Sequence, residues 1–211
     1  MFFKKKKKGI QVQDKVWISK VDKFRGLYHH LEQALQAGES LLIINQFENT
    51  QQEVQQMMTK LEVSHQLISQ ATDEPQPVNL WVTATENLLD IDLESTWANH
   101  LQAKEGLQVI ISEHHPSYQQ EQVLLEHLTT ILPMTSTTVF TALDEPFMQL
   151  FGGDRLIAVM ERIGVKENEA LEHAMINKSI DRAQQKIDKK IGQNIQANSQ
   201  QEWMERSGLL G

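Results

Sequence analysis

Two short runs, Ser40-Leu-Leu-Ile-Ile-Asn45 and Leu107-Gln-Val-Ile-Ile-Ser112, constrain the fold of this chain more than any other feature. Apolar runs with so little polar alternation need cover on both faces, which is the condition of a strand inside a parallel sheet. Helix-length segments lie between such runs. Phe24, Leu27, Tyr28, Leu31, Ala34 and Leu35 recur at spacings of three and four, and Gly38 closes that segment. Thr50 with Glu53 three residues on reads as a capping box, opening a helix with Val54, Met57, Met58 and Leu61 inward. Further strands are predicted over 15–19, 63–69, 78–84 and 137–142, and a helix around 119–131 that buries Val123, Leu124, Leu128 and Ile131. The alternation predicts an α/β fold, a mostly parallel sheet sandwiched by helices, over residues 14–143.

Beyond that the pattern is helical only. Leu143, Phe147, Leu150 and Phe151 form one amphipathic set; Leu156, Val159, Met160 and Ile163 form a second, stopped at Gly164. Ile176, Ile180, Ala183, Ile187 and Ile191 make a seam spaced four, three, four, four. Such a seam either packs on the parent domain or receives a partner helix. Residues 144–191 are thus predicted as a helical module. Residues 192–211, with three glycines and a Gln/Asn-rich stretch, read as a flexible tail, or as a short docking segment centred on Trp203 and Met204.

Charge is unevenly placed. Lys4, Lys5, Lys6, Lys7 and Lys8 contribute +5, leaving −13 on residues 9–211, a balance that argues against nucleic acid as a partner. The basic stretch 1–13 reads either as a disordered terminus or as an electrostatic tether to an anionic membrane, with Phe2 and Phe3 at the interface. No apolar stretch follows it as in a secretory signal, and no window approaches the ~20 apolar residues of a membrane span. With no cysteine in the chain, disulfide and thiolate chemistry are excluded.

Motifs for chemistry are sparse. No Gly-Lys pair occurs, so the phosphate-cradling Gly-x-x-x-x-Gly-Lys-Ser/Thr loop is absent; Gly152-Gly153-Asp154 reads as punctuation between helices, with Asp154 as an N-cap. His29-His30 and His114-His115 are adjacent pairs without metal-ligand spacing. Asp90, Asp92 and Glu94 alternate with Ile91 and Leu93, which suits a solvated loop better than a cation site.

The succession Phe147-Met-Gln-Leu-Phe151-Gly-Gly-Asp154-Arg155-Leu, Met160-Glu-Arg-Ile-Gly164, Glu169-Ala-Leu-Glu-His173 and Lys178-Ser-Ile-Asp-Arg-Ala183-Gln-Gln-Lys186 resembles the SecA family, the motor ATPases of bacterial protein secretion. The resemblance is to the passage from that family's second RecA-like nucleotide-binding domain into its scaffold helix. It extends more faintly to Asp14-Lys-Val-Trp-Ile-Ser19, to Thr83-Ala84-Thr85 with Asp90-Ile91, and to the stretch from Gly106-Leu107 through Glu113, His115 and Ser117. In that family the second domain supplies arginines to ATP held by the first. Here the matching positions are Leu88-Leu89-Asp90, Tyr118-Gln119 and Leu125-Glu-His-Leu-Thr-Thr130, which lack the cationic fork and glycine room a phosphate needs.

The resemblance implies a degenerate, truncated, non-enzymatic member that uses no cofactor and acts through protein contacts. The helical module would meet a translocation or envelope component with Phe147, Phe151, Arg155, Ile176, Ile180 and Ile187, with Trp203 as a further contact. Two alternatives stay open: a half-site ATPase subunit completed by a P-loop partner, with Arg155 and Arg162 as its cations, and a scaffold tethered to membrane by its lysine run. Either way the expected location is cytoplasmic, at or near the inner membrane.

Overall fold

The computed structural model describes residues 12–133, 135–153, 157, 169–172, 174–191 and 195–210. Six strands, β1 (Val12–Trp17), β2 (Leu41–Asn45), β3 (Gln66–Ile68), β4 (Leu80–Ala84), β5 (Gln108–Ile111) and β6 (Ser136–Ala142), form one sheet. Its order is β1-β6-β5-β2-β4-β3, and every pairing is parallel. The described helices are α1 (Lys20–Gln36), α2 (Glu48–Lys60), α3 (Thr85–Leu89), α4 (Thr96–Gln102), α5 (Tyr118–Ile131), α6 (Pro146–Leu150), α7 (Ala174–Asp188) and α8 (Gln200–Arg206). This is the α/β sandwich expected from the sequence.

The double cover of β2 shows why its sequence is continuously apolar. Leu41 and Ile43 pack with Leu27, Leu31 and Ala34 of α1 and Val54 and Met58 of α2. Leu42 and Ile44 pack with Trp97 and Leu101 of α4 and Leu124, Leu128 and Ile131 of α5. All five β2 residues are buried, and each large aliphatic side chain among them is worth about 1.5–3 kcal/mol. Gly38, at φ 78°, makes the turn that returns the chain from α1 to β2.

Several local readings are corrected. The second helix begins at Glu48 with Phe47 at the N-cap position, so Thr50 lies inside it and is buried. Glu53 pairs with Lys20 at 2.7 Å instead of closing a capping box. Val123 is 53% exposed, and Glu121 takes the inward position on α5. The tail read as flexible carries α8, whose N-cap Ser199 accepts a hydrogen bond from the Glu202 amide at 3.1 Å. Trp203 and Met204 on that helix are buried, so the docking segment exists and docks on its own chain.

A third apolar cluster sits apart from the two sheet faces. Val16, Phe47, Leu143, Phe147 and Met148 from the α/β domain and α6 meet Ile180, Ala183 and Ile187 of α7 and Trp203 and Met204 of α8. The edge of β1 is also engaged there, since Val16 and Leu171 exchange backbone hydrogen bonds of 3.0 and 2.8 Å.

Candidate functional site

In open parallel α/β sheets, ligands bind outside the carboxyl ends of the strands. Here those ends deliver Asn45 and Phe47 after β2, the turn Ser112-Glu113-His114-His115 after β5, and Glu145 after β6. The polar groups at this edge are turned on one another. Ser112 Oγ donates to Asn45 Oδ1 at 2.8 Å, and Asn45 Nδ2 donates to the Thr83 carbonyl at 3.1 Å. Lys23, in the first turn of α1, is buried; its Nζ donates to the Ser112 carbonyl at 2.8 Å and pairs with Glu145. Glu145 also accepts from Thr141 Oγ1 at 2.7 Å and from the Ala142 amide at 3.2 Å. An ion pair so enclosed is tolerable because these further bonds satisfy the carboxylate.

His114 lies between two carboxylates. Its Nδ1 approaches Glu121 at 3.0 and 3.1 Å, and its Nε2 lies 3.3 Å from Asp14 Oδ1 in ionic contact, out of line for a good hydrogen bond. Burial works against charge on this ring, but Glu121 and Asp14 outweigh it and hold its pKa well above the usual histidine value. His114 is therefore an imidazolium at neutral pH, locked in a buried triad. His115 is the reverse case: burial pushes it down to about 3. Its Nδ1 accepts from the Ser117 amide at 2.9 Å, its ring stacks on Phe47 at 5.3 Å, and the Trp203 ring meets it edge-on at 5.2 Å.

Glu113 completes the turn. Burial raises its carboxyl to about 7, with Lys23 opposing and Glu145 reinforcing the rise. The helical elements then close the edge from above. Gln184 of α7 donates to the His115 carbonyl at 2.8 Å and to Glu121 Oε2 at 3.0 Å. Gln200 of α8 donates to the His114 carbonyl at 3.0 Å and accepts from the Phe147 amide at 2.8 Å. A cavity of about 610 Å³ opens instead at the amino edge, beside Gly106, Leu107 and Ser136. Its described lining offers Glu39 and Lys104 as charged groups and none of the residues expected to act.

The expected contact residues are thus split. Phe147, Ile180, Ile187 and Trp203 are buried in the third cluster, which corrects their reading as a free docking face: the seam is satisfied within the chain. Ile176 is partly buried against the same cluster. Phe151 is 41% exposed beside Phe147, with ring centroids 5.4 Å apart, and neighbouring Leu150 is also exposed. Arg155, Arg162 and Lys4 to Lys8 lie outside the described residues. Gly152, read as punctuation, has φ 92° just after α6 and so needs glycine's freedom. Sequence reasoning missed the Asp14–His114–Glu121 triad because Asp14 lies on β1, far from the other two in the chain, and the seven-residue spacing of His114 and Glu121 matches no known motif.

What the geometry defines is a parallel α/β domain whose carboxyl edge is closed by its own carboxyl-terminal helices. Its sequence is SecA-like. The Protein translocase subunit SecA of Bacteroides fragilis is 26% identical over 184 residues, covering 84% of this chain and 17% of that protein. The SecA subunit of Chlorobium phaeovibrioides is 24% identical over 184 residues, covering 84% of this chain and 18% of that protein. The chain therefore spans less than a fifth of the length of these relatives and corresponds to a part of them. No protein-family model matches the chain. Among solved structures, the C-terminal part of the Fun30 ATPase domain is 10% identical with a TM-score of 0.42, over 78% of this chain and 54% of that one.

Proposed function

We propose that this chain is a non-catalytic SecA-like domain that acts through protein contacts in protein translocation or envelope biogenesis, at the cytoplasmic face of the membrane. The observation that carries this reading is the closed carboxyl edge. Where a nucleotide would lie in a fold of this kind, the space holds the Lys23–Glu145 pair, the His114 triad and the indole of Trp203. The cations at that edge, Lys23 and His114, are already engaged by Glu145, Glu121 and Asp14, and among the described residues no arginine fork is left to meet a phosphate. The phosphate-binding loop is missing from the sequence as well.

The contact face in this reading is the exposed pair Leu150 and Phe151 at the end of α6, and the lysines Lys4 to Lys8 add a contact with anionic lipid. No helix among the described residues is long and apolar enough to cross a membrane. Isothermal titration with ATP and with ADP is expected to be silent. Micromolar binding of either would overturn the non-catalytic reading in favour of a half-site ATPase.

A further inference from the structure

Positive charge is scarce in the body of this chain and is gathered on one helix. Of the 20 basic side chains, five are the lysine run, which leaves 15 against 28 acidic ones. Five of those, Lys178, Arg182, Lys186, Lys189 and Lys190, fall on α7 and the turn that ends it. Elsewhere Lys15, Lys20, Lys23, Arg25 and Arg206 each pair with a carboxylate. The five on α7 are exposed and form no ion pair among the described residues.

Lys178, Arg182 and Lys186 follow at intervals of four and so share one exposed face, away from Ile180, Ala183 and Ile187, which the third cluster buries. The acids of the helix are turned elsewhere. Asp188 accepts from the Gln119 amide of α5 at 2.9 Å, and Asp181 lies toward Glu121 and Asp14 of the triad. The helix dipole favours cations in the last turn, which accounts for Lys186, Lys189 and Lys190. Lys178, in the first half of the helix, gains nothing from it. Neither packing nor pairing within the chain explains the stripe.

Its position joins it to the other basic segment. Asn177, next to Lys178, donates from Nδ2 to the Val12 carbonyl at 3.2 Å. The chain thus enters β1 beside the start of the stripe. Lys8 is four residues before Val12, so the backbone between them spans at most about 13 Å.

We infer that the exposed face of α7 is a binding surface for anionic lipid, and that it lays one flank of the folded domain on the bilayer beside the lysine run. This rests on the membrane contact in the reading above and adds where the folded body touches. A planar array of anionic headgroups meets the stripe and the run together, while the acidic remainder of the chain faces away. The stripe carries no aromatic side chain on which a base would stack. Four of its five cations are lysines, compact point charges that suit mobile headgroups better than a fixed bidentate partner. Each basic side chain close to such a surface strengthens binding about fivefold.

The test is co-sedimentation of the full chain with vesicles of three parts phosphatidylcholine to one of phosphatidylserine, and with phosphatidylcholine alone. K178Q/R182Q/K186Q removes the stripe and keeps the run. It is expected to bind the anionic vesicles at least about tenfold more weakly than the unaltered chain. K178R/R182K/K186R, which keeps the charge, should bind as the unaltered chain does, and raised salt should release both. Because the three side chains are exposed and unpaired, the circular dichroism and melting temperature of both variants should match those of the unaltered chain. Undiminished binding by the folded glutamine variant overturns the proposal, as does equal binding to neutral vesicles. Displacement from the vesicles by a single-stranded oligonucleotide or by polyglutamate at matched charge would assign the stripe to nucleic acid or to an acidic protein, and overturn the lipid assignment. A second variant, with Lys4 to Lys8 replaced by glutamine, reads the contact of the run separately. Loss on the stripe variant alone would sink the run's contact and leave this one standing.

Discussion

Gln200 and His114, 86 positions apart in the chain, are joined by a hydrogen bond of 3.0 Å from side-chain amide to backbone carbonyl. The same side chain accepts from the Phe147 amide at 2.8 Å. Gln200 thus holds two buried backbone groups that nothing else described satisfies, and it binds the turn after β5 to α6 and α8. Gln200→Ala strands both groups, at about 1–3 kcal/mol each. The expected loss is ~2–4 kcal/mol, measured as a lower urea midpoint with an unchanged slope. A loss below ~0.5 kcal/mol would show that water enters the site and that the edge is not closed.

The triad gives a second prediction. With His114 replaced by alanine, Asp14 and Glu121 face each other in a buried site without the intervening cation. Breaking a buried ionic cluster by removing one partner costs about 3–5 kcal/mol. H114A is expected to lose that much near neutral pH, and D14N/H114A/E121Q to recover a large part of it. Thermal melts of the single and triple variants test this. If the triple variant is no better than H114A, the loss comes from packing and not from charge.

How far the fold is legible in the sequence can be judged on α5. Its buried positions are Glu121, Leu124, Leu128 and Ile131, a regular helical face. Reading by hydrophobicity substitutes Val123 for Glu121 and rotates the face, because a glutamate belongs inside only when His114 and Gln184 are there to meet it. Lys23 on α1 is the same case: its partner Glu145 lies 122 positions on. The start of α2 fails for a related reason, since its Asn49 amide is met by the Asn198 carbonyl and not by a local cap. The strands were legible because apolar runs covered on both faces require no distant partner to explain them. The candidate site was not, because Lys23, Asp14, Glu121 and His114 find their charged partners on other elements.

The buried acids and bases at the edge set the pH dependence of stability. The Glu113 carboxyl rises from 4.5 to about 7 on folding, so the native chain keeps a proton that the unfolded chain has released across that window. Its contribution is full below 4.5, declines as pH climbs to about 7, and is level beyond. His115 acts in the opposite sense. Its folded value of about 3 lies below the unfolded 6.5, so stability is present above 6.5 and is lost as pH falls toward 3. Glu113→Gln removes the first slope alone. Its melting temperature should exceed that of the unaltered chain near pH ~8 and converge with it near pH ~5. An offset of the same size at both pH values would mean that Glu113 does not titrate in the folded chain over this range.

A last prediction concerns a close approach in α1. A Cβ placed on Gly26 would come within 2.5 Å of Trp17 Cζ2, and the indole also packs against Phe140, with ring centroids 4.8 Å apart. Glycine inside a helix ordinarily costs about 1 kcal/mol relative to alanine, so helix propensity alone favours Gly26→Ala. Overpacking a fixed ring costs about 1–3 kcal/mol and acts against it. Because Trp17 ends the edge strand beside β6 and cannot retreat without disturbing Phe140, the steric cost should win. G26A is expected to be destabilised by a net ~1–2 kcal/mol in urea titration. The discriminating variant is W17F. With the smaller ring, the penalty for G26A should shrink or reverse, giving a coupling of about 1 kcal/mol or more in the double-mutant cycle. Additive effects would show that the indole moves aside, and that the glycine is not required by Trp17.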